Sequence, residues 1–300
     1  MIRDSFFDHL LYEKRYSSHT IGAYKCDLLQ FEEYLSTNYE LTDDTQVVHA
    51  MVRSWLASLI ESGVSPRSVN RKLSSLKTYF KYLLRIGIIK INPVRSSTSL
   101  KTSERLPSFA TKREMEKALA LATGIDDNFI SRRNLMVLEV FYNTGIRLAE
   151  LENLLIKDVD FYAKTIKVTG KRNKQRIIPV SDTLLEKISE YLRLREEVAM
   201  PGVQELIVGD KGLKAGRSQI AGIVKEYLTL AGVTGTKSPH VLRHTFATLM
   251  LNEGADLNAI KELLGHSSLA STQVYTHTNI EKLKTIYKQA HPWAQKKEES

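Results

Sequence analysis

The chain has 300 residues, of which 42% are hydrophobic, and this content excludes an intrinsically disordered protein. Its length is typical of two domains. The formal net charge of +9 favours a polyanionic partner such as nucleic acid, although many basic proteins bind none.

The cellular compartment is predicted from the cysteine content and from the lack of long apolar runs. Cys26 is the single cysteine, so no disulfide can form within the chain and a reducing compartment is expected. No apolar run approaches the roughly 18 residues of a membrane span. The first residues, M-I-R-D-S-F-F-D-H-L, lack the apolar core of a signal peptide. We therefore expect a cytoplasmic protein with no membrane partner.

Apolar periodicity predicts an all-helical domain over residues 1–95. In the first pattern, apolar residues recur at helical spacing and share one face: Ile21, Tyr24, Leu28, Phe31 and Leu35. A second pattern runs from Val48 to Leu59 and ends at Gly63. A third is opened by Pro66 and stopped by Gly87.

The third helical pattern lies in a strongly basic stretch. Residues 62–103 contain no Asp or Glu but nine Lys or Arg. A field of one sign over this length favours contact with an anion, and a solvated basic helix face is the alternative. The residues predicted to bind DNA are Arg67, Arg71, Lys72 and Lys77.

A linker is predicted over residues 96–107, where Ser, Thr and Lys replace apolar residues. A capping box from Thr111 to Glu114 then opens a second domain, residues 108–300, which is predicted to be mostly helical. The runs Thr165–Val168 and Arg176–Val180 are β-branched and flank G-K-R-N-K, which predicts an antiparallel hairpin with a basic tip.

Arg147 follows T-G-I and precedes a short helix that is predicted to begin near Leu148. An arginine at a helix N-terminus adds its forked guanidinium to free backbone N–H groups, which makes an anion site. The alternative is an ion pair with Glu150. Both can hold if Glu150 orients the guanidinium.

Lys171 is predicted at the hairpin tip, directly after Gly170. The pattern of a nucleotide-binding phosphate loop, G-x-x-x-x-G-K-[ST], is absent, so nucleotide hydrolysis is disfavoured. A lysine on such a turn is either simply solvated or able to reach into a groove and donate a proton.

His240 and Arg243 are predicted to share one face of a helix that Pro239 opens. A His–Arg pair in a first helical turn can bind a phosphate and exchange a proton with it. The alternative is a metal site formed by His240 and His244. Because the segment has neither Cys nor an intervening Glu, we expect no metal and interpret His244 as structural.

His266 is predicted to lie on a turn, because Gly265 closes a helix predicted over Asn258–Leu264. Tyr275 follows nine residues later. A tyrosine titrates near pH 10 and is a poor nucleophile unless nearby cations favour the phenolate. The alternative for any single tyrosine is packing.

The sequence resembles the tyrosine recombinases, the phage integrase and Xer family, in five segments that occur in the family's order: T-G-I-R-L-A-E-L, V-T-G-K-R-N-K-Q-R-I-I-P-V, H-V-L-R-H-T-F-A-T, L-L-G-H-S-S and V-Y-T-H. The residues before 96 also resemble the family's core-binding domain, so the likeness covers essentially the whole chain. It implies a mainly α protein. An all-helical, SAM-like core-binding domain would precede a mostly helical catalytic domain with a small antiparallel sheet.

The resemblance implies six catalytic residues. Tyr275 would be the nucleophile that forms a 3′-phosphotyrosyl bond, Lys171 would protonate the departing 5′ oxygen, and His240 would assist proton transfer at the tyrosine. Arg147 and Arg243 would clamp the scissile phosphate.

His266 would support the same phosphate in the transition state, with Glu150 as a supporting residue. Because the phosphodiester energy is kept in the tyrosyl bond, the family's chemistry implies neither a cofactor nor a metal.

The implied function is a Xer-like site-specific recombinase that acts as a homotetramer on two partly palindromic double-stranded DNA sites, with or without a second recombinase. Chromosome dimer resolution is favoured over integration or excision of a mobile element. Two further functions compete with recombination: that of a type IB-like topoisomerase and that of a DNA-binding regulator that never cuts.

An amphipathic pattern follows Tyr275 and consists of Ile280, Leu283, Ile286 and Tyr287. In the family such a helix docks on an adjacent protomer, and packing on the chain's own core is the alternative.

Overall fold

The structure is a computed structural model that describes residues 2–101, 109–124, 128–170, 173–265 and 277–290, with the side chains of 277–282 left out. It divides into two compact units, Met1–Arg105 and Leu106–Ser300, and each has its own hydrophobic core. The described fold is mainly helical with one small antiparallel sheet, as predicted. Within the described residues, no helix combines the length and apolarity needed to cross a bilayer.

The first unit is helical throughout its regular elements. Its helices are α1 (Ile2–Asp8), α2 (Ser18–Tyr39), α3 (His49–Glu61) and α4 (Pro66–Arg85). A π-helical turn, His9–Glu13, follows α1, and a short 3-10 turn, Asp44–Gln46, precedes α3. Side-chain caps fix two starts: Ser17 accepts from Thr20 N in α2, and Ser65 accepts from Ser68 N in α4.

The predicted apolar stripes meet in the core of this unit. The Phe31 and Trp55 rings lie 4.9 Å apart, and Phe31 also meets Phe80 edge-on. Leu76 and Leu83 complete the buried face of α4. Three helices are thereby held by contacts that the helical spacing predicted.

The chain beyond α4 remains attached to the first unit. Val94 is fully buried, the Asn70 side chain donates to the Leu100 carbonyl at 2.9 Å, and it accepts from Leu100 N at 2.8 Å. The described part of the predicted linker, up to Lys101, therefore includes residues fastened to α4 rather than a free connection.

The second unit is built around a buried central helix, α6. Its helices are α5 (Lys112–Thr123), α6 (Phe129–Thr144), α7 (Leu148–Glu152), α8 (Asp182–Val198), α9 (Arg217–Leu230), α10 (Pro239–Asn252), α11 (Leu257–Leu264) and α12 (His277–Ala290). The predicted capping box from Thr111 to Glu114 opens α5. Helix α6 packs against α5, α8, α9 and α10, which explains why almost its whole circumference is buried.

A three-stranded antiparallel sheet lies in the second unit, in the order β1 (Val159–Asp160), β2 (Thr165–Thr169) and β3 (Gln175–Pro179). The hairpin of β2 and β3 confirms the predicted one, with Val168 opposite Arg176. Strand β1 was not predicted, because two residues are too short to show an alternating pattern.

Helix α12 packs on the core of its own unit in the single chain. Leu283, Tyr287 and Ala290 are buried, and the helix contacts β3, α10 and α11. This is the self-packed alternative. The docked arrangement on a second protomer stays a prediction.

Candidate active site

A glycine turn places Arg147 at the start of α7. Gly145 ends α6 in the left-handed region, with φ 59°, and its N–H donates to the Phe141 carbonyl. A Cβ at Gly145 would lie 2.6 Å from the ring of Phe246 and 2.9 Å from Leu264. Both the backbone conformation and the close packing therefore require glycine.

Glu150 is the centre of the polar contacts around Arg147. It is buried, and its Oε2 accepts from the Arg147 backbone N–H while its Oε1 accepts from Arg147 Nη1, both at 2.8 Å. Arg176 approaches from β3 and donates from Nη1 to Oε1 at 2.9 Å and from Nη2 to Oε2 at 2.8 Å. The Arg147 side chain remains 43% exposed, so it is both paired with Glu150 and open to an anion.

These contacts keep Glu150 ionised. Burial alone would raise the pKa of this carboxyl, but the hydrogen bonds and charge of Arg176, together with the bonds from Arg147, lower its pKa to about 2. Because folding lowers this pKa, the ionised carboxylate stabilises the folded protein fully above its ordinary pKa of 4.5, and that contribution is lost as pH falls towards 2.

Arg243 reaches the same place from the second turn of α10. It is 7% exposed, and it donates from Nη1 to the Gly145 carbonyl at 2.8 Å and from Nη2 to the Leu264 carbonyl at 2.6 Å. Arg147 Nη2 donates to the adjoining Gly265 carbonyl at 3.2 Å. We call Arg147, Glu150, Arg176 and Arg243 the arginine cluster.

The arginine cluster has more positive than negative charge, since one carboxylate faces three guanidinium groups. Burial, followed by the charges of Arg147 and Arg176, lowers the pKa of Arg243 to about 9, and Glu150 only partly opposes this. A bound anion would relieve that repulsion. Each guanidinium has five N–H donors in a planar fork, which matches the oxygens of a phosphate.

The two predicted histidines of α10 differ in exposure. His240 lies exposed in the first turn, one turn before Arg243. His244 is half-buried and meets the Phe109 ring edge-on at 6.2 Å, a packing contact that fits its structural interpretation. In the part of the chain that is described, no group of three or more His, Cys, Asp or Glu could hold a metal ion.

Lys171, His266 and Tyr275 lie outside the described residues. The residues preceding two of them contact the arginine cluster. A Cβ on Gly170 would lie 3.3 Å from Glu150 Oε1, and the Gly265 carbonyl accepts from Arg147. The chain therefore enters both undescribed segments from the cluster.

Arg176 is the member of the cluster that the sequence interpretation did not select. In the burial pattern of β3, Arg176 and Ile178 are buried while Gln175 is exposed. An arginine in phase with the inward apolar positions of a strand is unusual, because buried charges require partners. The position of Arg176 among the inward-facing residues of the strand was therefore the sequence signal that could have identified it as a member of the cluster.

The four predicted DNA-binding residues all lie on α4, but they differ from one another in exposure and in their ion pairs. Arg67 is exposed and Lys77 is half-buried. Arg71 pairs with the buried Asp27 while its side chain stays 46% exposed. Lys72 is buried, with Nζ 3.3 Å from Asp27 Oδ1 and a further bond to Gln30.

Lys72 is therefore placed as a structural residue and not as a surface contact. It follows Val69 by three positions, which puts it on the apolar face of the helix. Its charge is matched inside the unit by Asp27, so we leave it out of the proposed DNA contacts.

Two family profiles match the chain. The profile of the phage integrase family matches residues 109–282, and that of the phage integrase N-terminal SAM-like domain matches residues 4–87. The chain is 38% identical over 299 residues to the tyrosine recombinase XerC of Thermodesulfovibrio yellowstonii, with 98% of this chain and 97% of that protein covered. It is 37% identical to XerC of Listeria monocytogenes serotype 4b, with 98% of each covered.

The fold also resembles a solved recombinase–DNA complex. The XerH site-specific recombinase bound to palindromic difH substrate, in a post-cleavage complex, superposes with a TM-score of 0.71 and 26% identity. The likeness covers 89% of this chain and 79% of that chain. The λ integrase dimer bound to a core site shares the fold at 17% identity and a TM-score of 0.67.

Proposed function

This chain belongs to the phage integrase family, and from that premise we propose that it is a site-specific tyrosine recombinase that cuts and rejoins DNA through a 3′-phosphotyrosyl intermediate. The observation that carries the proposal is the arginine cluster, in which three guanidiniums surround one buried carboxylate. Burial, followed by the charges of Arg147 and Arg176, lowers the pKa of Arg243 to about 9. The cluster has a net positive charge, which the negative charge of a bound phosphodiester would neutralise.

The phosphate would be held by Arg147 and Arg243. Phosphoryl transfer depends mainly on positioning and on neutralising charge at the non-bridging oxygens. The partly exposed Arg147 and the carbonyl-held Arg243 present fixed donors without having to reorganise during the reaction. Glu150 would hold Arg147 in place.

The remaining roles follow the family's motifs. Tyr275 would attack the phosphorus and form the covalent bond, and Lys171 would protonate the 5′ oxygen that leaves. His240, exposed one turn before Arg243, would take part in proton transfer at the tyrosine. His266, which directly follows the Gly265 carbonyl held by Arg147, would support the phosphate. No step in this scheme uses ATP or a metal.

The proposed substrate is double-stranded DNA with a partly palindromic core, bound by four copies of the chain on two sites, with or without a second recombinase. Similarity to XerC proteins over nearly the full chain favours chromosome dimer resolution over mobile-element integration. In the tetramer, α12 would leave its own core and dock on the neighbouring protomer. Among the side chains of α12 that the structure describes, Leu283, Tyr287 and Ala290 are buried, and these would be released from their own core in that exchange.

The proposal is tested by covalent capture. Purified protein is mixed with fragmented genomic DNA in EDTA, denatured in SDS, and the DNA that stays attached is sequenced while the attached peptide is identified by mass spectrometry. We expect a short, partly palindromic site and a phosphotyrosyl adduct on Tyr275. Binding that SDS removes completely would instead identify a regulator, and adducts spread over unrelated sequences would identify a topoisomerase.

Arg67 is exposed on α4 and Lys72 is buried, and this difference leads to a second prediction. Arg67→Ala should weaken DNA binding at every sequence and lower the slope of log Kd against log salt by about one, because it removes one exposed phosphate contact. Lys72→Met should leave that slope unchanged and lower the melting temperature, because it removes one of the two cations that pair with the buried Asp27. The two slopes are measured by fluorescence anisotropy at several salt concentrations. Equal slope changes in both variants would contradict the assignment of Arg67 as exposed to DNA and of Lys72 as structural.

A further inference from the structure

We propose that Arg176 is a positioning residue for DNA cleavage, which fixes Glu150 and the end of α11 relative to the hairpin and thereby sets the orientation of Arg147. This inference rests on the proposed function. It assigns Arg176 no contact with DNA, because only 5% of the residue is exposed.

All three nitrogens of the Arg176 guanidinium have partners on other elements. Nη1 and Nη2 bind the two oxygens of Glu150 at 2.9 and 2.8 Å, and Nε donates to the Leu263 carbonyl at 2.6 Å. A planar fork with donors on two edges can make these contacts together, and a lysine ammonium cannot. One side chain therefore ties β3 to α7 and to the last turn of α11.

The contact with α11 continues to the residue that holds Arg147. A Cβ on Gly265 would lie 3.2 Å from Arg176 Cδ, so the Arg176 side chain packs directly against the backbone of that residue. The Gly265 carbonyl in turn accepts from Arg147 Nη2. The Arg147 side chain has two described acceptors, Glu150 and Gly265. Arg176 contacts both of them, by hydrogen bonds to Glu150 and by packing against Gly265.

The charge of Arg176 is as important as its shape. With Arg176 replaced by a neutral residue, the buried Glu150 would retain Arg147 as its hydrogen-bonded cation. The carboxylate would then draw Arg147 towards itself or take up a proton, and either change would move the guanidinium from its place beside the phosphate. A displacement of about 1 Å can cost on the order of 10²-fold in rate.

The test compares single-turnover cleavage of the captured DNA site by wild type, Arg176→Gln and Arg176→Lys. We expect cleavage to fall by on the order of 10²-fold in the glutamine variant and less in the lysine variant, which restores the charge but not the three bonds. The Kd for DNA should be nearly unchanged in both. Arg133→Gln is the matched control, because Arg133 is equally buried and ion-paired with Asp210, away from the cluster.

A pH profile separates positioning from a loss of stability. Glu150 faces Arg147 on its own turn, Arg176 from β3 and Arg243 from α10. Without Arg176 the pKa of Glu150 rises, so the ratio of variant to wild-type cleavage should fall as pH decreases from about 8 to about 5, the range in which buried carboxyls with raised pKa values titrate. The same ratio for Arg133→Gln should stay flat.

Carboxyl titration by NMR of protein labelled at Glu gives a readout that does not depend on activity. A raised Glu150 pKa in Arg176→Gln, with slower cleavage and a sloping pH ratio, is the expected result. An unchanged pKa, or cleavage equal to that of Arg133→Gln at every pH, would overturn the inference. If wild type formed no adduct, the proposed function would fail, and the titration would still decide whether Arg176 holds Glu150.

Discussion

Tyr275→Phe is expected to abolish SDS-resistant capture of DNA and to leave equilibrium binding of the same DNA nearly unchanged. The substitution removes one oxygen, which is the atom that would bond to phosphorus, so the proposed covalent step loses its nucleophile. Cleavage should therefore fall by more than about 10⁴-fold. The basic residues that are proposed to bind phosphates are untouched, so affinity should persist. Single-turnover cleavage and anisotropy binding measure the two effects.

Tyr162→Phe is the matched control for this prediction. Tyr162 is 99% exposed, so its substitution likewise removes one phenolic hydroxyl, and it lies on the turn between β1 and β2. Capture by this variant should equal that of wild type. A covalent adduct that survives in Tyr275→Phe would show that another residue attacks the phosphate, and loss of capture in Tyr162→Phe would show that the assay reports something other than the nucleophile.

The helices were predictable wherever one face is apolar over several turns. Helices α2, α3 and α4 have this property, and their patterns match the elements found. Helix α11 was predicted from the glycine that ends it, and the hairpin of β2 and β3 from two β-branched runs on either side of a basic turn. The short α1 and β1 were missed because they have too few residues for a period to emerge. Lys72 was selected by its residue type, and its position on the apolar face of α4, where the structure buries it, was not considered.

The sequence motifs predicted three residues of the arginine cluster, but they did not predict the hydrogen bonds that join its members. Arg147, Glu150 and Arg243 lie in segments whose order resembles a known family. The pairing of Glu150 with Arg176 joins residues 26 positions apart in different elements, and local spacing does not determine such a contact. The inward phase of Arg176 in β3 indicated that a partner exists, and only the fold identifies it.

The buried position of Arg243 makes its substitution the second large prediction. Arg243→Gln should slow single-turnover cleavage by on the order of 10²–10³-fold, the effect of losing one fixed donor to a developing oxyanion. Its guanidinium is held by the Gly145 and Leu264 carbonyls at 2.8 and 2.6 Å, so a bound phosphate meets donors that are already oriented. DNA affinity should change much less, since many phosphate contacts contribute to it.

Arg195→Gln separates this catalytic loss from the loss of a buried arginine. Arg195 is also buried in the second unit and donates to the carbonyls of Val203 and Glu205, neither of which belongs to the arginine cluster. Both variants lose a buried cation and its carbonyl bonds, so both should lower the melting temperature. Removing Arg243 also removes its repulsion from Arg147 and Arg176, which together with burial, the larger cause, lowers the pKa of Arg243 to about 9. Arg243→Gln should therefore destabilise the protein less than Arg195→Gln while impairing cleavage far more, and the opposite order in both measurements would mean that Arg243 is structural.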